Sequence, residues 1–190
     1  MRAELLKSAG DVSGAIDLVE SQIPGYNPRH VTGLQVALAD LYESAGQHDR
    51  ARELYSEALA SAHPDYAADA GVALGRLLEA EGRPRAEESY EHAMLFRTDA
   101  AFVGGLRLAQ LCLDRDDFDA ARRPLRFAAT SDDPGVAQLG TVLLAQLLMA
   151  DGNAWGARIL LERVVAGPDP RTADVGSLLL AELDPPPDAD

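Results

Sequence analysis

Residues 33–64 read GLQVALADLYESAGQHDRARELYSEALASAHP, and the rest of the chain varies this theme. In its first half Val36, Leu38, Ala39, Leu41 and Tyr42 recur with the period of a helix that buries one stripe. Gly46 stops that helix, and Gln47-His48-Asp49 form a short turn in which Asp49 is expected to cap the next one. Ala51, Leu54, Tyr55, Ala58 and Leu59 then mark the apolar face of a second helix. It must end before His63-Pro64, because proline cannot continue it. The unit is therefore two antiparallel helices and a tight turn, and alone it cannot bury both faces.

Echoes of the unit run along the chain. Ala51 recurs as Ala15, Ala86, Ala121 and Ala157, at intervals of 35 or 36 residues. Four places after each stands a larger residue: Val19, Tyr55, Tyr90, Leu125, Leu161. The turn glycine reappears as Gly10, Gly82 and Gly152, with Asp116 in its place once.

Composition agrees with an all-helical chain. Of 190 residues 47% are hydrophobic, enough for a substantial core, while aromatics are only 5% and alanine and leucine fill the apolar positions. Strands would ask for more β-branched and aromatic residues. A formal charge of −14 argues against a nucleic-acid partner, which needs a basic stripe. The charge leaves two readings open, solubility and a preference for basic partners. The single cysteine, Cys112, cannot form an internal disulfide. The N-terminus shows no uninterrupted apolar run of a secretory signal, and no segment is apolar for long enough to span a bilayer. A soluble, cytoplasmic protein with no membrane partner is the expectation.

The first helices share a further pattern: Gln35-x-x-Leu38-Ala39-x-x-Tyr42, Gly71-x-x-Leu74-Gly75-x-x-Leu78, Gly105-x-x-Leu108-Ala109-x-x-Cys112 and Thr141-x-x-Leu144-Ala145-x-x-Leu148. On these residues the chain resembles the tetratricopeptide repeat family, as a divergent, bacterial-type member that lacks the family's opening tryptophan in every copy. The small residue lets the two helices of a pair approach closely, and the residues on either side of it fill the core. The resemblance implies a short right-handed α-solenoid of antiparallel helix pairs, in which each repeat touches only its neighbours.

One repeat domain is expected over 1–184. It comprises a partial copy at 1–23, full copies at about 32–63, 67–96, 101–130 and 136–166, and a capping helix at 172–183. Residues 185–190, PPPDAD, form a solvated tail. Pro84 falls where a first helical turn tolerates proline. Pro124 falls well inside a second helix, so a kink or a late helix start is expected there.

Catalytic chemistry finds little support. His30, His48, His63 and His92 lie at loops or helix ends, with no close helical pair to hold zinc. Cys112 occupies a core position of its repeat, which makes it a small buried residue rather than a nucleophile. The glycines lack a following Lys-Ser/Thr, so they do not form a phosphate loop. Asp114, Asp116, Asp117 and Asp119 lack the glycine bend and terminal glutamate of a calcium loop. No cofactor and no metal are expected, and the chain reads as a non-enzyme. Trp155 has two readings: packing against the third copy, which is favoured, or an exposed interaction anchor.

The resemblance implies a concave groove lined by first helices, with three rows of side chains. Val36, Val72, Leu106 and Val142 would form an apolar wall at exposed positions, or else lie half-buried between adjacent first helices. Asp40, Arg76, Gln110 and Gln146 would form a polar middle one helical turn further on. Glu43, Glu79, Leu113 and Met149 would form an edge that turns from acidic to apolar. Such a groove would take an amphipathic helix or an extended peptide, with Arg76 pairing an acidic side chain of the partner. The co-chaperone type of clamp for a C-terminal carboxylate is not supported, because its opening basic pair is here Val36 and Asp40, and only Arg107 matches elsewhere.

Two functions remain. The leading one is a non-catalytic interaction scaffold with a protein or peptide partner in the groove. The alternative is a regulatory or ligand-sensing repeat domain of a larger signalling protein, suggested by the half-repeat at the start. Homo-oligomer formation through that uncapped first copy is a further expectation.

Overall fold

A computed structural model of the chain describes residues 2–25, 28–61, 63, 66–83 and 85–183. The tail expected at 185–190 and Pro84 lie outside them. Among the described residues are eleven α-helices and a 3-10 turn: α1 Arg2–Ser8, α2 Val12–Gln22, the 3-10 turn Ile23–Gly25, α3 Pro28–Ser44, α4 His48–Ala60, α5 Ala67–Ala80, α6 Ala86–Ala93, α7 Asp99–Leu113, α8 Phe118–Ala128, α9 Pro134–Ala150, α10 Ala154–Val165 and α11 Pro170–Leu183. No strand occurs among the described residues.

One turn is built five times, and its chemistry explains the period. Gly10, Gly46, Gly82 and Gly152 all take positive φ, between 61° and 84°, and Asp116 adopts the same left-handed backbone at 58°. Each donates its N–H to a carbonyl of the helix just ended: to Lys7 at 3.0 Å, Glu43 at 2.9 Å, Glu79 at 3.0 Å, Leu113 at 3.0 Å and Met149 at 2.9 Å. The next residue donates further back, as in Gln47 N–H to the Tyr42 carbonyl at 2.8 Å. These paired bonds satisfy the orphan carbonyls at the end of each first helix and reverse the chain.

Three second helices then start under a side-chain cap. Asp11 accepts from Gly14 N–H at 2.9 Å, Asp117 from Ala120 N–H at 3.1 Å and Asn153 from Gly156 N–H at 3.0 Å. The equivalent residue before α4 is Gln47, which makes no side-chain cap bond. Asp49 therefore does not cap α4, contrary to the expectation. It lies two positions past the cap residue, inside the helix, and binds Arg52 instead.

The structure falls into two compact units, 1–101 and 102–190. In unit 1 the core joins Ala15, Val19, Leu38, Ala39, Tyr42, Ala51, Tyr55, Leu74 and Leu77. The repeat alanines sit where two helices pack closely, and the residue four places on fills the space beside them. Tyr55 and Tyr90 are fully buried. Gly75 lies so close under Tyr90 that a Cβ there would stand 2.6 Å from the ring. In unit 2 Leu125 and Leu161 take the place of the tyrosines. Burying one such side chain is worth about 1.5–3 kcal/mol.

Of the two outcomes expected at Pro124, the late start does not occur: α8 starts at Phe118 and carries the buried Pro124 inside it. Trp155, favoured as a packed residue, is 76% exposed on α10. Its position in the first turn points the indole away from Ala157 and Leu161, the residues that face the core.

Candidate functional site

The first-helix rows behave differently in the two units. In unit 1 Val36 and Val72 are half-buried, and Val36 packs against the core. Leu106 is also half-buried, and Val142 is only 4% exposed within a cluster with Ala145, Leu161, Val164 and Leu179. A β-branched side chain at this position fits between neighbouring helices, and Val142 is withdrawn from any surface.

The polar residues of unit 1 come together. Asp40, Glu43 and Arg76 line an open hollow of about 320 Å³, with Ser44 and Lys7 completing it. Arg76 binds Glu43 at 2.8 Å, so its acidic partner is inside the chain rather than on a ligand. The Tyr55 hydroxyl rises from the core to donate to Asp40 and, at 3.1 Å, to Glu43. Burial first, then the two carboxylates, push the Tyr55 phenol far above its ordinary range, which keeps it a hydrogen-bond donor. Asp69, in the first turn of α5, has its carboxyl raised by burial and by the charge of Asp40. On the same helix Glu79 accepts from the Tyr90 hydroxyl at 2.8 Å.

Unit 2 carries the same rows without formal charge. Gln110 and Gln146 are exposed, and Leu113 and Met149 are half-buried. Gln110 donates to Asp114 at 2.7 Å. Val103 and Leu139, one turn before Leu106 and Val142, are exposed apolar residues on these first helices. Sequence reasoning passed over them because they precede the repeat pattern.

Lys7 was missed as well, since the first copy is incomplete. Its signal was available: Lys7 precedes Val19 by the twelve residues that separate Glu43 from Tyr55. Its carbonyl accepts the turn glycine as Glu43 does.

A second hollow, of about 460 Å³, lies in unit 1 at the turn between α3 and α4. It is lined by Gln47, His48, Asp49, Arg50, Arg52, Glu81 and Arg83, with Gly46 at its edge. Glu81 binds Arg52 at 2.8 Å, Arg83 at 2.9 Å and His48 at 3.1 Å. Arg52 also binds Asp49, which places one arginine between an acid of its own repeat and an acid of the next.

Cys112 is buried. Among the described residues no three His, Cys, Asp or Glu side chains gather in a way that could hold a metal ion. Among them, too, no helix is long and apolar enough to cross a membrane.

No family model matches the chain, and neither does any curated protein. Solved structures do. BtubC (BKLC) from P. vanneervenii superposes with a TM-score of 0.64 at 20% identity, over 99% of this chain and 82% of that one. A putative kinesin light chain with nearly identical TPR-like repeats from Podosopora anserina gives 0.55 at 23% identity, over 86% and 90%. A tetratricopeptide repeat protein from Parabacteroides merdae gives 0.60 at 14% identity, over 96% and 69%. At these identities the likeness is one of fold.

Proposed function

The chain has a helical-repeat fold of the tetratricopeptide type, and from that fold we propose that it is a non-catalytic scaffold binding a protein segment along its first-helix face. The observation that carries this reading is the hollow in unit 1. Three successive first helices, α1, α3 and α5, each send a charged side chain to it: Lys7, Asp40 with Glu43, and Arg76. These groups belong to separate repeats, so a segment crossing the helices meets all of them at once.

The chemistry of the rows defines the ligand. In unit 1 a segment meets both signs of charge, held in place by Tyr55 and by the Arg76–Glu43 pair. The corresponding first-helix positions of unit 2, Gln110, Gln146, Leu106, Leu113 and Met149, suit backbone amides and apolar side chains. A polar segment suits the first set and an amphipathic one the second.

The test is capture of partners by the intact chain and by two single variants, Val72→Glu and Leu106→Glu, with helicity followed by circular dichroism. Loss of the same partner in either variant, with helicity kept, supports the reading. A partner retained by both overturns it. Amide-exchange protection of α3 and α5 on partner binding would locate the contact directly.

A further inference from the structure

We propose that the second hollow of unit 1 is a binding site for a phosphoryl group, held by Arg50, Arg52 and Arg83. Each guanidinium there is already fixed by an internal partner that uses only part of its donors. Arg83 engages Glu81 through Nε at 2.9 Å. Arg50 donates one terminal nitrogen to the Tyr42 hydroxyl at 3.2 Å, and its guanidinium carbon lies 5.2 Å from the centroid of the Tyr42 ring. Arg52 is clamped between Glu81 and Asp49. A guanidinium carries five N–H donors in a rigid fork, so donors remain on all three after these bonds. Side chains held in this way lose little freedom when a ligand arrives.

The cations exceed what the fold requires. Unit 2 builds the same clamp with one arginine: Arg122 binds Asp119 and Asp151 as Arg52 binds Asp49 and Glu81. There the positions of His48, Arg50 and Arg83 are held by Phe118, Ala120 and Asn153, and Asp117 caps the helix. Unit 1 has three more cationic or titratable donors and no capping carboxylate, which leaves the hollow with surplus positive charge on a chain of net charge −14. Repulsion from the rest of the chain is screened beyond about 8 Å at physiological salt.

A tetrahedral anion suits this geometry better than a second carboxylate. Glu81 already takes the planar, two-oxygen role, bound from three sides by Arg52, Arg83 and His48. Arg50, on α4, and Arg83, beyond α5, both line the hollow, and the three outer oxygens of a phosphoryl group can accept from separate donors. The first turn of α4, free of a side-chain cap, lines the same space and adds backbone donors.

The experiment titrates inorganic phosphate into the isotope-labelled full chain at constant ionic strength and follows backbone amide and arginine Nε signals. Saturable shifts at Gly46, Gln47, His48 and Arg50, weakened about tenfold or more in Arg50→Gln and in Arg83→Gln, are expected, since one charge-assisted hydrogen bond is worth about that factor. Gln47→Asp, which places a capping carboxylate against the site, is expected to abolish the shifts while signals elsewhere stay in place. No saturable shift in the intact chain, or equal shifts in the arginine variants, overturns the proposal. N-acetylphosphoserine amide and inorganic phosphate are compared side by side. Tighter binding of the former assigns the group to a phosphorylated side chain, and tighter binding of the latter to the free ion.

Discussion

The Tyr90 hydroxyl donates to Glu79 Oε2 at 2.8 Å, so a fully buried residue of a second helix reaches the last turn of its own first helix. Tyr55 makes the same link to Glu43 at 3.1 Å. Where the buried residue is instead Leu125 or Leu161, the first-helix position is Leu113 or Met149. The edge that turns from acidic to apolar along the chain therefore follows the interior: an acid stands wherever a buried hydroxyl needs an acceptor.

This relation predicts a coupling. Tyr90→Phe is expected to cost about 1 kcal/mol, the usual net value of one such bond. Glu79→Leu alone removes this acceptor, whereas the pair of changes recreates the apolar combination of unit 2. A double-mutant cycle measured by urea unfolding should give a coupling of about 1 kcal/mol. Additive costs would show that the pairing is geometric only.

Gln138 is buried and spans three elements. Its Nε2 donates to the Val164 carbonyl at 3.0 Å, and its Oε1 accepts from Asp169 N–H at 3.0 Å. It ties α9 to the end of α10 and to the entry of α11. Gln138→Leu leaves the Asp169 N–H without this acceptor, while the Val164 carbonyl keeps Gly167 N–H at 3.0 Å, and a loss of about 1–3 kcal/mol is expected. Amide exchange should accelerate first in α11.

Gly140 lets α9 approach the end of α8. A Cβ there would stand 2.9 Å from the Ala129 backbone nitrogen and 3.1 Å from the Ala128 Cβ, neither of which can swing aside. Alanine would gain about 1 kcal/mol of helix propensity. The forced separation costs about 1–3 kcal/mol. Gly140→Ala is expected to lower the urea midpoint, which a gain in propensity alone would raise.

Asp69 and Asp169 predict opposite pH signatures. Burial, then the Asp40 charge, raises the Asp69 carboxyl in the folded chain. Its contribution to stability is present below the unfolded pKa and lost as pH rises through the folded one. Asp69→Asn should therefore raise Tm at neutral pH and have little effect below about pH 4. The Thr172 hydroxyl, then the Thr172 and Arg171 backbone amides, hold the Asp169 carboxyl below its ordinary value. Its contribution is present above the unfolded pKa and lost as pH falls through the folded one. Asp169→Ala should lower Tm at neutral pH, with a deficit that shrinks in acid. Thermal scans across this pH range check both signs.

Local signals were legible in the chain itself. The positive-φ glycines, the alanines beneath a larger residue four places on, and the helical stripes depend on neighbours within a few residues, where spacing is sufficient evidence. Helix pairs and their number follow from these signals. Exposure was not legible. Val36, Val72 and Leu106 are half-buried, Val142 is in the core and Trp155 is exposed, because burial at these places depends on how closely a neighbouring repeat approaches. Nor could spacing show that Arg76 is spent on Glu43 or that Arg52 reaches Glu81, bonds that cross between repeats. By itself the sequence determined the repeat and its turns, because backbone conformation and helical period are local properties. Only the tertiary structure decided which polar groups face a hollow with donors to spare, because that depends on side chains far apart in the chain meeting at one place.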